Sequence, residues 1–278
     1  MHIPPHDNRN CPIVDVDDPH VPLVYFNIVK LRRDQAFRYR VPGYETCIVP
    51  ATGTVDVEVE GVRFDALGNR GVDVWDGEPE GAYIPTGAEA TMVCTTETAE
   101  VFVAGARYDK VLEPFDVREH DPVQYGSDDT KTHRKIKHIL GQRENGRVGR
   151  LLVSELFTVG TGGWSGFPSH KHDTDRPPVE TRHDECYNFR FRPSRGSGLQ
   201  MLQREDNEPG DAYHIMDGST VLIDRGYHPC VVLPGYEMYY FTILGGQSRR
   251  GLIQYFQPTH ADQLETIPGI KDMIAKFK

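Results

Sequence analysis

The chain has 278 residues, a formal net charge of −10 and 26% charged residues. An acidic chain is a poor nucleic-acid binder, which needs a basic face, and it is equally unsuited to anionic membrane surfaces. The first twenty residues are polar, no apolar run approaches the length of a membrane span, and the five scattered cysteines contain no CxxC pair. We therefore expect a cytoplasmic protein with reduced thiols and without nucleic-acid or membrane partners.

Short strands dominate the chain from about residue 45 onward. Residues 45–64 and 81–106 each alternate apolar and polar side chains around a glycine-containing turn. Further strand-like stretches cover residues 149–159, 185–193, 198–206, 211–235, 236–246 and 251–258, and a helical pattern occurs only at residues 269–277. Short strands with frequent glycine and proline turns are typical of an all-β sandwich or barrel.

The strand pattern occurs twice along the chain, because residues 84–93 and 223–232 repeat a turn followed by an apolar strand. Residues 118–140 are polar and rich in charge, and we interpret them as the connection between two β domains, 1–120 and 121–278. The first half has no histidine between His20 and His120. It therefore cannot hold a metal through three imidazoles, and a structural role is expected for it.

The second half contains a set of metal-ligand side chains. His170 and His172 lie one residue apart in SHKHD, so on a strand both imidazoles would face the same side. Glu185 follows in ECYNF and His228 in DRGYHP, just after a glycine turn. A lone HxH is often only a pair of surface histidines, but four ligands in this order favour a divalent ion: Zn first, with Mn, Fe, Co or Ni also suitable.

The order HxH, Glu and glycine-turn His resembles the cupin pattern, with a longer gap before the glutamate. Residues 155–181, ECYNFRF, RGYHP, GYEMYYFTILGG and HRKIKHIL resemble the 5-deoxy-glucuronate isomerases of myo-inositol catabolism, which are related to the 5-keto-4-deoxyuronate isomerases. The resemblance covers about residues 40–258. It implies a double-stranded β-helix (jelly roll) fold with two tandem cupin domains and a metal held by His170, His172, Glu185 and His228. It also implies aldose–ketose isomerisation of a deoxy-uronic acid, of the 5-deoxy-glucuronate to 5-dehydro-2-deoxy-gluconate type.

Residues 183–190 depart from that family pattern. They read HDECYNFR where the family commonly reads like LEEIYYHR, so Asp184 replaces a glutamate and Phe189 replaces a histidine. Glu185, Tyr187 and Phe189 share one face of the strand by alternation. Phe189 is therefore expected to line the pocket and to change its polarity, which leaves the exact sugar acid open.

Several residues are candidates for the substrate. Tyr187 should point inward beside the ligand glutamate, as an acid/base or hydroxyl-binding group, or as a barrel-core tyrosine. Arg225 and Arg134 are candidates for the substrate carboxylate, because a guanidinium fork matches it, although each suits a surface or interdomain ion pair. Tyr239 and Tyr240 alternate on their strand, so one should face the pocket; Tyr240 is our candidate.

Two neighbours of the histidines have other expected roles. Lys171 should point away from the metal, and Asp173 either orients a ligand imidazole or caps the following loop. The C-terminal helix should pack on the barrel or on a partner subunit, and a homo-oligomer of two or more chains is expected. An iron-dependent cupin dioxygenase and a non-catalytic sugar-binding cupin remain alternatives to the isomerase.

Overall fold

The computed structural model describes residues 1–277 of the chain, and β-strands make up most of its regular structure. Among these residues, none of the helices has both the length and the apolar character needed to cross a bilayer. The strands form two units, each built from antiparallel pairs, as the short alternating stretches of the sequence predict.

The first unit is a nine-stranded sheet that curls into a barrel. Its strand β5 is long and bent: the early part pairs with β7 and β9, and the later part pairs with β6 and β8. Gly53 lies in β5 with φ +71°, and a Cβ atom there would lie 2.2 Å from the Thr98 carbonyl oxygen, so the bend requires glycine. After the short β1 (His2–Ile3), the strands of this sheet are β2 (Pro12–Val14), β3 (Val24–Arg32), β4 (Ala36–Arg40), β5 (Tyr44–Val59), β6 (Val62–Arg70), β7 (Gly81–Ile84), β8 (Glu89–Cys94), β9 (Thr98–Arg107) and β10 (Phe115–Val117).

The second unit has a seven-stranded sheet and a four-stranded sheet that enclose an apolar core. Its strands are β11 (Val123–Tyr125), β12 (Arg134–Leu140), β13 (Leu151–Thr158), β14 (Gly163–Ser165), β15 (His170–Lys171), β16 (His183–Arg192), β17 (Ser197–Leu202), β18 (Asp211–Met216), β19 (Thr220–Ile223), β20 (Cys230–Val232), β21 (Glu237–Gly246) and β22 (Tyr255–Phe256). Two 3-10 helices cover Gln142–Glu144 and Pro258–Leu264, and the expected C-terminal helix α1 covers Ile270–Phe277. The seven-stranded sheet runs β1-β19-β16-β21-β13-β12-β11, and β14-β20-β17-β18 form the four-stranded sheet.

The two units pack against each other through the faces of their large sheets. Phe26 and Phe102 of the first sheet contact Phe241 of the second, with ring centroids 6.1 and 4.7 Å apart. A fully buried ion pair crosses the same interface, since Arg70 of β6 donates to Glu155 of β13 at 2.7 Å. The first unit therefore supports the back of the sheet that carries Glu185, one of the candidate metal ligands.

Sheet membership changes between β10 and β11, next to the domain boundary predicted at residue 120. Two features differ from the predicted division. Residues 118–140 are more than a connection, because they contain β11 and β12 of the second sheet. In addition, His2 and Ile3 pair with Val221 and Thr220 of β19, so the start of the chain completes the second sheet.

Candidate metal centre

The imidazoles of His172 and His228 are held in one orientation by backbone carbonyl groups. His172 Nδ1 lies 3.0 Å from the His183 carbonyl oxygen, and His228 Nδ1 lies 2.8 Å from the Gly226 carbonyl oxygen. A carbonyl oxygen only accepts, so each Nδ1 must carry the proton. The neutral form of each ring therefore presents a lone pair at Nε2, which is the arrangement found behind metal-ligand histidines.

Both Nε2 atoms face the carboxylate of Glu185. His172 Nε2 lies 3.0 Å and His228 Nε2 lies 3.2 Å from Glu185 Oε2. Thr242 Oγ1 donates to the other carboxylate oxygen at 2.7 Å, which fixes the plane of the group. His172, Glu185 and His228 are all buried, so water does not screen these contacts.

The third imidazole, His170, completes the cluster. Its ring centroid lies 6.0 Å from that of His172 and 4.9 Å from that of His228. One nitrogen from each of the three rings lies within 4.8 Å of the others, and this is the only such His, Cys, Asp and Glu group in residues 1–277. His170 belongs to β15 and His172 follows it, so the HxH pair occupies a very short strand and its exit.

The donor set fits a divalent cation. Two neutral Nε2 lone pairs and a carboxylate oxygen are all acceptors, and acceptors this close need a cation or extra protons between them. His228 Nε2 is buried and makes no hydrogen bond with the described residues. Three imidazoles and one carboxylate match the ligands of zinc and of the first-row divalent metals.

The charges of these groups depend on one another. Burial opposes ionisation of Glu185, but the neighbouring imidazoles of His172 and His228 outweigh it and lower the pKa of the carboxyl group. Burial also opposes protonation of His172, yet the Glu185 carboxylate raises the pKa of that imidazole. Burial and the two neighbouring imidazoles lower the pKa of His170 well below its usual value. Glu185 is therefore an anion in the folded protein, as a metal ligand must be.

Asp173 ties the HxH segment to the turn that carries His228. Its Oδ2 accepts a hydrogen bond from the Gly226 amide at 2.8 Å, and its Oδ1 pairs with Lys171 Nζ at 2.9 Å. Burial disfavours the carboxylate, but these donors hold the pKa of Asp173 at about 2. Asp173 thus acts on the Gly226 turn instead of on a ligand imidazole, and the Lys171 ammonium group is occupied by this ion pair.

A cavity opens in front of the cluster, with about 550 Å³ of empty space including the part open to solvent. Its walls are largely apolar. The lining residues are Tyr125, Ile136, Leu156, Gly166, Phe167, Pro168, His170, His172, Glu185, Tyr187, Tyr240, Thr242, Leu244, Leu252, Gln254, Phe256, Ile270 and Met273. Besides the candidate ligands, the titratable side chains among them are Tyr125, Tyr187 and Tyr240.

The two tyrosines lie side by side, with ring centroids 4.6 Å apart. Tyr240 is hydrogen-bonded to Ser165 Oγ, and Tyr239 points the other way, where it donates to Glu155 at 2.8 Å. Burial raises the pKa of both Tyr187 and Tyr240 well above the usual value. Both phenols are therefore neutral at physiological pH.

Phe189 does not line the cavity, contrary to the expectation from strand alternation. It shares a face with Tyr187, but it is fully buried behind the tyrosines, 5.9 Å from the Tyr187 ring and 5.5 Å from the Tyr240 ring. Asp184 faces the first unit, where it accepts from the Leu23 amide at 3.0 Å. Neither departure from the family pattern changes the cavity wall itself.

The two arginines predicted for a carboxylate lie in different surroundings. Arg134 is fully buried, with its guanidinium carbon 4.9 Å from the Tyr125 ring centroid and one hydrogen bond to the Phe167 carbonyl oxygen at 3.3 Å. Its Nε and Nη1 atoms have no hydrogen-bond partner among residues 1–277. Arg225 instead has a side chain that is 68% exposed and lies 4.0 Å from Asp224. Neither arginine is among the described lining residues, but Arg134 contacts Tyr125 and Phe167, which are.

The C-terminal segment supplies part of the wall, which the sequence analysis did not predict. Leu252, Gln254 and Phe256 line the cavity from β22 and the residues before it, and Ile270 and Met273 line it from α1. The amphipathic pattern of α1 indicated a buried face. It could not indicate that this face lies over the metal ligands.

Two tandem β-barrels, with three imidazoles and a buried carboxylate in the second, define a bicupin. Residues 2–263 match the KduI/IolB family, and the chain therefore belongs to that family. Its relatives include a protein of Shouchella clausii, 29% identical over 238 residues that cover 84% of this chain and 86% of that protein. Another, from Geobacillus kaustophilus, is 29% identical over 257 residues and 89% of each chain. Both relatives are named 5-deoxy-glucuronate isomerase.

Solved structures support the fold. An IolB-like protein from Salmonella typhimurium LT2 is similar with a TM-score of 0.80 and 24% identity, over 94% of this chain and 93% of that one. A variant of Bacillus subtilis oxalate decarboxylase is similar with a TM-score of 0.61 and 10% identity, over 92% of this chain and 78% of that one. At these identities the likeness concerns the two-barrel architecture alone.

Proposed function

We propose that this protein is a metal-dependent aldose–ketose isomerase of a deoxy-uronic acid, of the 5-deoxy-glucuronate to 5-dehydro-2-deoxy-gluconate type, in myo-inositol catabolism. The observation that carries the proposal is the pair of Nε2 lone pairs of His172 and His228, both fixed toward the Glu185 carboxylate. Relatives named 5-deoxy-glucuronate isomerase, similar over more than four fifths of this chain, supply the substrate class.

His170, His172, Glu185 and His228 would hold the ion. Zinc is our first candidate because it has no redox chemistry of its own, and Mn, Fe, Co or Ni suit the same donors. When bound, the ion supplies a Lewis acid that polarises the substrate carbonyl. The protein contributes the orientation of its donors and a largely apolar wall that excludes water.

Isomerisation moves a proton between C1 and C2 of the sugar acid, so a group beside these carbons must accept and return it. Besides the ligands, the titratable side chains at the described cavity wall are Tyr125, Tyr187 and Tyr240, and the Tyr125 ring packs against Arg134. We assign Tyr187 the acid/base role at the substrate oxygens, because its protonated phenol can donate to the developing enediol and lies on the same strand face as Glu185. Tyr240, held by Ser165, is assigned to binding a substrate hydroxyl.

We assign the substrate carboxylate to Arg134 in preference to Arg225. Arg134 is fully buried against Tyr125 and Phe167, which line the cavity, and its Nε and Nη1 donors have no hydrogen-bond partner among the described residues. Arg134 forms no ion pair with a carboxylate among residues 1–277. An anionic substrate would satisfy both the charge and the free donors, with the paired geometry that guanidinium groups offer to carboxylates.

The test is conversion of 5-deoxy-glucuronate by zinc-loaded protein in D₂O, followed by NMR. We expect ketose formation with deuterium at the carbon that receives the proton, and no consumption of O₂. His170→Ala should lose stoichiometric metal by elemental analysis, and Tyr187→Phe should keep the metal but lose at least tenfold in kcat. Oxygen uptake by the iron-loaded protein would favour a dioxygenase, and binding without exchange or turnover would favour a sugar-binding cupin.

The cytoplasmic location and the homo-oligomer of two or more chains stay predictions. Light scattering of the purified protein measures the second directly. A sugar acid is the proposed partner, and the acidic composition of the chain continues to disfavour nucleic acid.

A further inference from the structure

The segment before β22 is held firmly against the candidate metal ligands. His170 pairs with Phe256 across β15 and β22, and the Gln257 amide donates to the Ser169 carbonyl oxygen at 2.8 Å. On the other side, the Ile253 amide donates to Thr181 Oγ1 at 2.8 Å. The backbone is therefore fixed on both sides of Gln254, and the position of that side chain is defined by the fold.

The Gln254 carboxamide lies at the cluster itself. Its Nε2 atom is 2.9 Å from His170 Nε2, and its Oε1 atom is buried without a hydrogen-bond partner among the described residues. If His170 donates its Nε2 lone pair to an ion, that lone pair is no longer available to the carboxamide. Gln254 then offers one donor group and one acceptor to the cavity.

The cavity wall around Gln254 offers few hydrogen-bond partners for its carboxamide. Leu252 and Phe256, two positions before and after Gln254, are apolar, and Thr242 is already hydrogen-bonded to Glu185. Gln254 is the only carboxamide among the described residues that line the cavity. A buried polar group in apolar surroundings is costly unless something binds it, so a polar ligand is needed to satisfy it.

We infer that Gln254 is a substrate-contacting residue that selects sugar acids with a hydroxyl on the carbon next to the two reacting carbons, C3 of the aldose. This inference rests on the proposed isomerase function. A hydroxyl both donates and accepts, which matches the two ends of a carboxamide. A site built to hydrogen-bond a hydroxyl discriminates strongly against the analogue that lacks it, because the protein group is left unpaired.

The test compares wild type with Gln254→Met, which has a similar shape but no hydrogen-bonding groups. We expect the variant to keep stoichiometric zinc and a Tm within about 2 °C of wild type. Its Kd for a non-reacting alditol acid of the substrate, measured by calorimetry, should weaken about ten- to hundredfold, with a matching rise in KM. Gln247→Met, at an exposed position, is the matched control and should change neither value.

A second comparison uses the 3-deoxy analogue of the alditol acid. Wild type should bind it at least tenfold more weakly than the hydroxylated acid, whereas Gln254→Met should bind both equally. If wild type binds the two acids equally, the inference is wrong. This outcome needs no variant, so it holds even if Gln254→Met fails to fold. Loss of zinc from Gln254→Met would also overturn it, because the side chain would then merely support His170.

These outcomes are separate from those of the proposed function. If wild type binds the hydroxylated acid selectively but shows neither turnover nor deuterium exchange, the isomerase proposal fails and the hydroxyl contact stands. If wild type isomerises the substrate while Gln254→Met matches it in Kd and KM, only the assignment of Gln254 fails.

Discussion

Replacement of Arg134 by methionine should stabilise the protein while removing its affinity for the sugar acid. The guanidinium group is fully buried, and among residues 1–277 it has one hydrogen bond, to Phe167, and a ring contact with Tyr125. Methionine has a comparable length and no charge, and its flexible thioether adapts to an apolar site.

The expected gain follows from the uncompensated charge. An unpaired buried ion costs several kcal/mol. A buried cation–π contact offsets about 2 kcal/mol of this cost, and one hydrogen bond offsets about 1 kcal/mol. The balance leaves Arg134 unfavourable by about 1–3 kcal/mol, which for a chain of this size corresponds to a rise in Tm of roughly 2–6 °C on replacement.

Urea unfolding of the zinc-loaded proteins, without substrate, measures the free energy difference. Saturating sugar acid should raise the Tm of wild type and leave that of Arg134→Met unchanged, because the substrate carboxylate has lost its partner. Arg225→Met serves as the control because the Arg225 side chain is exposed. It should change neither the free energy of unfolding nor the rise in Tm with sugar acid. A loss of more than about 1 kcal/mol in Arg134→Met would refute the reasoning, as would an unchanged KM.

Three further outcomes are expected. A chelator should lower the Tm by several degrees and added Zn²⁺ should restore it, since an ion at a hundred times its Kd contributes about 2.7 kcal/mol; an unchanged Tm would contradict the metal site. Burial lowers the pKa of His138 from 6.5 to about 4, so the unfolded chain binds the proton more tightly. The free energy of unfolding should then fall by up to about 3 kcal/mol as the pH drops from 6.5 to 4, and His138→Gln should reduce this dependence in acid titrations followed by circular dichroism. Glu155→Ala should cost about 3–5 kcal/mol in urea unfolding, because it leaves Arg70 buried without its partner; the double variant with Arg70→Met should recover much of that loss.

The fold and the ligand cluster follow from local patterns. Strand alternation and turn glycines indicate barrels without any knowledge of the tertiary structure, and the order of His170, His172, Glu185 and His228 suits a jelly roll. The structure brings these four side chains together. The backbone partners that fix their tautomers, the carbonyl groups of His183 and Gly226, carry no side-chain pattern and were not predictable.

The sequence also could not predict how deeply a side chain lies within the barrel. Alternation correctly assigned Phe189 to the face of Tyr187, but it cannot distinguish a wall residue from one packed behind the wall. Gln254 was missed for a different reason. Its contact with His170 spans 84 residues of sequence and depends on the pairing of β15 with β22, two strands of only two residues each.

The order in which the cavity wall appears along the chain has a consequence for synthesis. Folding during translation begins with the N-terminal region, and β2 to β10 need only one another to form their sheet. The metal barrel draws on His2 at one end and on Ile270 and Met273 at the other. A nascent chain can therefore build the supporting barrel early, whereas a fully walled metal cavity arises only after Met273 has left the ribosome.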